Sequence, residues 1–366
     1  MTLRVLVVGP APAGAVSRGG MATVIALMVA HPDRNFAITA VPTYVEGTRW
    51  HRLAVSVSGM LRATWLVLAG RTDILHVHLA HGGSVLRKAL PLAAARVAGV
   101  PSVIHGHSYD FGGWFDRLPS WGRAVVRRLL TADRWLVLGD RHVREYADRI
   151  RLAEDRIGVL HNAVQISADP VCQFRAHPVH AVALGRLGMR KGSYDLIAAI
   201  GRLDADVRSR LRLTLAGDGE IDDVRAAVTD AGLDETIDVA GWLGPSDRDQ
   251  LLGSAHIFVL PSYDEGLPMA LLEAMAQGLV PVTTMVGSIG EAVSDGVNGV
   301  LVQPGSPSEI ADALATLVGD ESRRAALGAA ARRRTHDFGI DRWYQRLTQL
   351  WLELADGRRS SRLETA

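Results

Sequence analysis

Short apolar runs alternate with longer stretches of helical period from one end of the chain to the other, and this alternation restricts the fold more than any other feature. Runs near 5–9, 37–41, 74–77, 102–107 and 135–138 in the first half read as buried strands, as do those near 182–185, 213–216, 237–240, 257–260, 280–283 and 299–302 in the second. Most are near-continuous Val, Ile and Leu, as strands covered on both faces are. Between them, apolar residues recur at three- and four-residue spacing, the period of an amphipathic helix. The chain is therefore expected to be α/β, with doubly wound parallel sheets covered by helices. Its 366 residues exceed one common domain and suit two of similar size. The weakly periodic stretch 162–178, which holds Pro170 and Pro178, reads as the linker. The expected division is 1–165 for a first Rossmann-like domain, 166–338 for a second, 339–356 for a closing helix and 357–366 for a polar, disordered tail.

Composition narrows the function. An apolar share of 48% gives both domains a core, and a net charge of +1 supplies no general attraction for nucleic acid. Cys172 alone excludes an intramolecular disulfide, as suits a reducing compartment, and no Cys-His cluster suggests a zinc module. Residues 3–9 are too few for a secretory apolar region and read as a strand, so a cytoplasmic protein is expected. Residues 53–70 are apolar, but Arg62 interrupts them and Ser, Thr and Gly dilute them; a packed helix is expected there, not a membrane span. Arg117, Arg123, Arg127 and Arg128 mix with Trp114, Phe115, Trp121, Leu129 and Leu130. That mix suits an ordinary amphipathic helix or peripheral contact with an anionic membrane at its inner face.

Two segments carry candidate chemistry. Ile257-Phe258-Val259-Leu260 runs through the loop Pro261-Ser262-Tyr263-Asp264-Glu265-Gly266-Leu267-Pro268 into a helix with Leu271, Leu272 and Met275 at helical spacing. Glu265 lies in the loop and Glu273 on the helix. The amides of Gly266 and Leu267 lie near a helix N-terminus, which attracts an anion such as a diphosphate. Taken singly, the glutamates read first as a helix cap and a solvated helix position. After the strand at 182–185 come Arg186-Leu187-Gly188-Met189-Arg190-Lys191-Gly192, where a forked guanidinium and a compact ammonium suit two phosphates. Only Lys88 and Lys191 of the 40 basic residues are lysine, so an arginine-biased chain keeps Lys where a point charge would face phosphate. Gly19 and Gly20 follow the first strand and let the backbone approach a ligand, although the spacing is not Gly-x-Gly-x-x-Gly and a flexible loop accounts for them too. His105 and His107 share a face of their strand by alternation; buried histidines bonded to backbone carbonyls are the other reading.

Together, the Glu265-x7-Glu273 spacing and the unbroken Gly185-Arg186-Leu187-x3-Lys191-Gly192 loop resemble the retaining GT-B glycosyltransferases of family 4. The resemblance implies two Rossmann-like domains facing across a cleft, with the closing helix crossing back to the first. It implies transfer of a sugar from a UDP- or GDP-linked donor to an acceptor hydroxyl with anomeric retention. Residue by residue, Glu265 would lie near the sugar and Glu273 would bind the ribose. Gly19, Gly20, Arg186, Lys191, Gly266 and Leu267 would complete the donor site. His105-Gly106-His107-Ser108 resembles a His-x-His-Gly pattern of exopolysaccharide-type members, in which the second histidine approaches the transferred sugar; Ser108 replaces the last Gly. His107 and Glu265 are thus the expected catalytic pair. Ser84-x2-Arg87-Lys88 resembles a helix start of the same subgroup, and with His105 it implies contact with a glycan, lipid-linked or small-molecule acceptor; surface charge explains Arg87 and Lys88 equally. No cofactor beyond the nucleotide-sugar co-substrate and no metal are expected. Asp204-Ala205-Asp206 and Asp247-Arg248-Asp249 follow no buried strand and read as a helix end and a helix start. The alternatives are a UDP-sugar 2-epimerase of the same fold and a non-catalytic sugar-nucleotide-binding regulator, whose sign would be loss of Arg186, Lys191 or Glu265.

Overall fold

The computed structural model describes residues 2–364 except 15–16, 31–32, 167 and 175–176, and for 358–364 the backbone alone. The chain divides into two compact units, one of Met1–Asn162 with Asp341–Ala366 and one of Ala163–Ile340. The first unit runs β1 (Leu3–Pro10), α1 (Gly20–Ala30), β2 (Phe36–Tyr44), α2 (Arg49–Leu68), β3 (Ile74–Leu79), α3 (Gly83–Val97), β4 (Ser102–Gly106), α4 (Phe111–Asp116), α5 (Ser120–Leu129), β5 (Arg134–Val137), α6 (Asp140–Ile150) and β6 (Ile157–Val159). The second runs β7 (Val179–Leu184), α7 (Ser193–Arg202), α8 (Ala205–Ser209), β8 (Leu211–Ala216), α9 (Ile221–Asp230), β9 (Ile237–Gly241), α10 (Pro245–Ser254), β10 (Ile257–Leu260), α11 (Met269–Ala276), β11 (Val280–Thr284), α12 (Ile289–Ala292), β12 (Val300–Val302), α13 (Pro307–Gly319) and α14 (Glu321–Thr335). A last helix, α15 (Ile340–Glu364), joins the first unit.

Each unit holds a six-stranded parallel sheet, ordered β2-β1-β3-β4-β5-β6 and β12-β11-β10-β7-β8-β9. Every strand run expected from the sequence is present, and β6 is added; three residues with a central glycine carry too little pattern to be read. In both sheets the order reverses beside the first strand, between β1 and β3 and between β7 and β10. Open α/β sheets bind ligands at the carboxyl ends of the strands at such a reversal.

The first sheet packs Leu6, Val8, Leu75, Val77, Ile104 and Trp135 against α2, α3 and α5 in one core. The opposite strand parity buries Val5, Val7, Ile74, His76, His78 and His105. There Trp351 of α15 meets Phe36 at a centroid distance of 5.5 Å and donates from Nε1 to His76 Nδ1 at 3.2 Å. The helix continues through Glu364, which corrects the expected disorder from 357 onward: beyond Gly357 no proline intervenes, and Arg, Leu and Glu are good helix formers.

Helix α2 is packed, as expected, through Gly59, Ala63 and Val67, while Trp50, Leu53, Val57, Leu61, Trp65 and Leu68 point outward. A side chain at Gly59 would run into the Pro42 carbonyl, so the helix lies directly on β2. Among the described residues no helix is long and apolar enough to cross a membrane.

Candidate functional site

In the second unit, the loops after β7 and β10 meet at the sheet's point of reversal. Gly192 makes the meeting possible: its φ of +70° is left-handed, and any side chain there would strike the Pro261 carbonyl. Tyr263 N–H donates to the Arg190 carbonyl at 2.9 Å, and Arg190 Nη1 donates to the Asp264 carbonyl at 2.9 Å. These bonds bring Lys191 Nζ onto Glu265 Oε1, an ion pair whose side chains keep only 15% and 9% exposure. Glu265 Oε1 also accepts from Ser262 Oγ at 2.8 Å. Beside the pair, Gly185, Arg186, Lys191, Ser193, Leu260 and Pro261 line a small hollow, with Arg186 exposed at its edge. Gly266 accepts from Ser288 N–H at 2.9 Å, Leu267 is buried, and Pro268 stands at the N-terminus of α11.

One turn into α11 lies Glu273, with Arg248 Nη2 at 3.5 Å from its Oε1. Burial raises the Glu273 carboxyl above its ordinary pKa; Arg248 opposes the shift and Asp249 adds to it. A largely desolvated carboxylate with one loose cationic partner keeps acceptor capacity for hydroxyl donors. Arg248 belongs to the Asp247-Arg248-Asp249 stretch that reads in sequence only as a helix start. Its pairing with Glu273 depends on α10 and α11 lying together, for which sequence spacing carries no signal.

In the first unit, period-two alternation on β3 and β4, with His78 in register with His105, gathers four imidazoles. Ring centroids are 5.0 Å apart for His76 and His78, 5.3 Å for His78 and His105, and 4.2 Å for His105 and His107. His78 Nδ1 lies 2.9 Å from His107 Nε2. Burial, followed by mutual repulsion, holds His76, His78 and His107 well below the ordinary imidazole range, and burial pushes His105 down to about 3. These shifts favour the neutral form of all four imidazoles at pH 7, and His107 is the half-buried one among them. Ligating nitrogens of His76, His78 and His105 fall within 4.8 Å of one another. Because Trp351 donates to His76 Nδ1, neutral His76 carries its proton on Nε2 and has no lone pair left for an ion.

His105 and Lys88, expected to contact an acceptor, are interior groups instead, 0% and 1% exposed. Alternation sets His105 under the sheet's helical cover, and Lys88 Nζ turns inward to donate to Thr43 Oγ1 at 3.0 Å, which donates to the Gly9 carbonyl at 3.1 Å. Burial, with Arg87 adjoining, lowers the Lys88 ammonium to about 7. Arg87 lies over the Tyr44 ring, 5.5 Å from its centroid. Ser108, in place of the pattern's glycine, bonds through Oγ to His81 Nδ1 at 2.6 Å. Gly19 is exposed with φ +92° and Gly20 opens α1; Ala15 and Val16 of that loop lie outside the described residues.

The family model described as Glycosyltransferase Family 4 matches residues 13–168, and that described as Glycosyl transferases group 1 matches residues 173–334. Two parallel α/β units, each matched by its own transferase model, define a GT-B glycosyltransferase. Within that class the chain belongs to family 4. It is similar to glycogen synthase of Mycobacterium tuberculosis, 29% identical over 311 residues covering 79% of this chain and 70% of that one. It is also similar to D-inositol 3-phosphate glycosyltransferase of Salinispora arenicola, 27% identical over 350 residues covering 86% and 76%. By fold it resembles Anabaena HepE in complex with UDP-glucose, with a TM-score of 0.75 at 17% identity over 96% of this chain and all of that one. Sucrose-phosphate synthase of Thermosynechococcus elongatus gives 0.77 at 16% identity over 97% and all.

Proposed function

We propose that this glycosyltransferase moves a sugar from a UDP- or GDP-linked donor to an acceptor hydroxyl with retention at the anomeric carbon, in exopolysaccharide or lipid-linked glycan assembly at the cytoplasmic side of the membrane. The observation that carries the donor reading is the clamped Lys191–Glu265 pair, set where the sheet order reverses, with Arg186 beside it. The bond from the anomeric carbon to the diphosphate breaks, the bond to the acceptor oxygen forms, and the proton passes from the acceptor hydroxyl to the departing phosphate. Arg186, Lys191 and the backbone at Gly266 and Leu267 neutralise the charge of the leaving diphosphate, the task a metal performs elsewhere, so no metal is required. Glu273 accepts from the ribose hydroxyls, and Glu265 holds both Lys191 and the sugar. The contacts of Gly19 and Gly20 with the diphosphate and of His107 with the sugar rest on the resemblance alone.

UDP and GDP, each with a panel of their sugars, should be compared by thermal shift on the native chain, Lys191→Ala and Glu273→Ala. The expected outcome is stabilisation by one nucleotide, lost in both variants. No shift with any nucleotide would overturn the donor site. Product formed without an acceptor would point to a 2-epimerase, and activity lost to a chelator and restored by a divalent ion would overturn the metal-free mechanism.

A further inference from the structure

Helices α2, α3 and α5 cover one face of the first sheet, and α3 packs against both of the others. On α2, Trp50, Leu53, Val57, Leu61, Trp65 and Leu68 are 42–68% exposed, and their three- and four-residue spacing places them in one stripe opposite Gly59 and Ala63. Leu86, Leu90 and Val97 are exposed along α3, and Trp121 and Val125 along α5. A folded monomer rarely leaves so much contiguous apolar surface open without a partner. Charge identifies the partner's chemistry. The three helices contain no Asp or Glu but carry Arg49, Arg52, Arg62, Arg87, Arg96, Arg123, Arg127 and Arg128. Between Glu46 and Asp110 the single acid is Asp73, and Arg4 pairs with it at 2.7 Å. In a chain of net charge +1, this face is strongly cationic. Arg49 stacks over Trp50 at 5.1 Å and Arg71 over Trp65 at 4.8 Å, so both ends of the stripe pair an indole with a guanidinium.

We infer that this face docks on an anionic lipid bilayer, with α2 lying in the interface plane, its apolar stripe inserted and the flanking arginines on lipid phosphates. Indoles favour the depth between headgroups and acyl chains, and each basic residue near such a surface adds to binding. A second copy of the chain is a poorer occupant, because a two-fold interface built from this patch would set the arginines of α2 and α3 against one another, and those two helices carry no acid to offset them. The inference stands apart from the donor assignment: it requires no nucleotide and uses none of the donor residues.

Flotation with vesicles of phosphatidylcholine alone and of phosphatidylcholine with one-quarter phosphatidylglycerol tests it, on the native chain, Trp50→Ser/Trp65→Ser and Arg52→Glu/Arg62→Glu. The native chain should bind the anionic vesicles at least about tenfold more tightly than the neutral ones and leave them as salt is raised. Each double variant should lose roughly tenfold or more while keeping the native melting temperature, since all four side chains are exposed. Absence of binding to the anionic vesicles, or equal binding to both kinds, would overturn the inference. So would a concentration-dependent dimer in sedimentation that the tryptophan variant abolishes, since that would assign the face to a second copy.

Discussion

Lys191 and Glu265 stand where neither side chain is well solvated, so the pair behaves differently from a surface ion pair. Removing the ammonium alone leaves a carboxylate with Ser262 as its remaining described partner, and Lys191→Ala is expected to cost about 3 kcal/mol. Lys191→Met combined with Glu265→Gln removes both charges and should cost less than Lys191→Met and Glu265→Gln made singly and summed. Urea unfolding of the four proteins forms the cycle, and additive costs would mean that the pair is uncoupled. Lys191 was legible in sequence because its loop motif and its rarity coincide. Its pairing with Glu265, 74 positions away, was not, since it depends on a glycine that lets two loops touch.

Helix α15 is the element whose attachment is most open to test. Trp351 is fully buried, lies tilted against Phe36 and supplies the bond to His76. Trp351→Ala should destabilise the first unit by about 3–5 kcal/mol, read as a lower urea midpoint with an unchanged slope. A loss below about 1 kcal/mol would mean that the helix is docked by other contacts. The closing helix at 339–356 was legible in the sequence, whereas the continuation past Gly357 was not, because a polar segment looks the same helical or unstructured. For α2 the helix was legible, but the face it would pack with was not. Gly and Ala packed on β2 leave the tryptophans outside, and amphipathic period alone does not say which side a sheet will take.

At the scale of the whole molecule, the buried imidazoles couple folding to pH. Their folded pKa values lie below the unfolded value, with His105 near 3 against 6.5, so between these limits the unfolded chain binds more protons than the folded one. Stability is then fully present above about pH 6.5 and falls with acid, by about 1.4 kcal/mol per pH unit for each histidine that titrates only on unfolding. Thermal melts from pH 7 to pH 4 should show this loss, and His105→Gln should flatten it. An unchanged melting temperature across that range would mean that the cluster is protonated in the fold.

The sequence by itself determined the α/β class, the sites of eleven of the twelve strands among the described residues and the transferase motifs, because β period, helical period and loop chemistry are local properties of neighbouring residues. Tertiary structure alone decided what those residues touch. It turned Lys88 and His105 inward, brought Arg248 to Glu273, laid Trp351 on His76 and left the tryptophans of α2 outside. Burial, and the pKa values and pairings that follow from it, depend on which distant elements share a face, and spacing along the chain does not encode that.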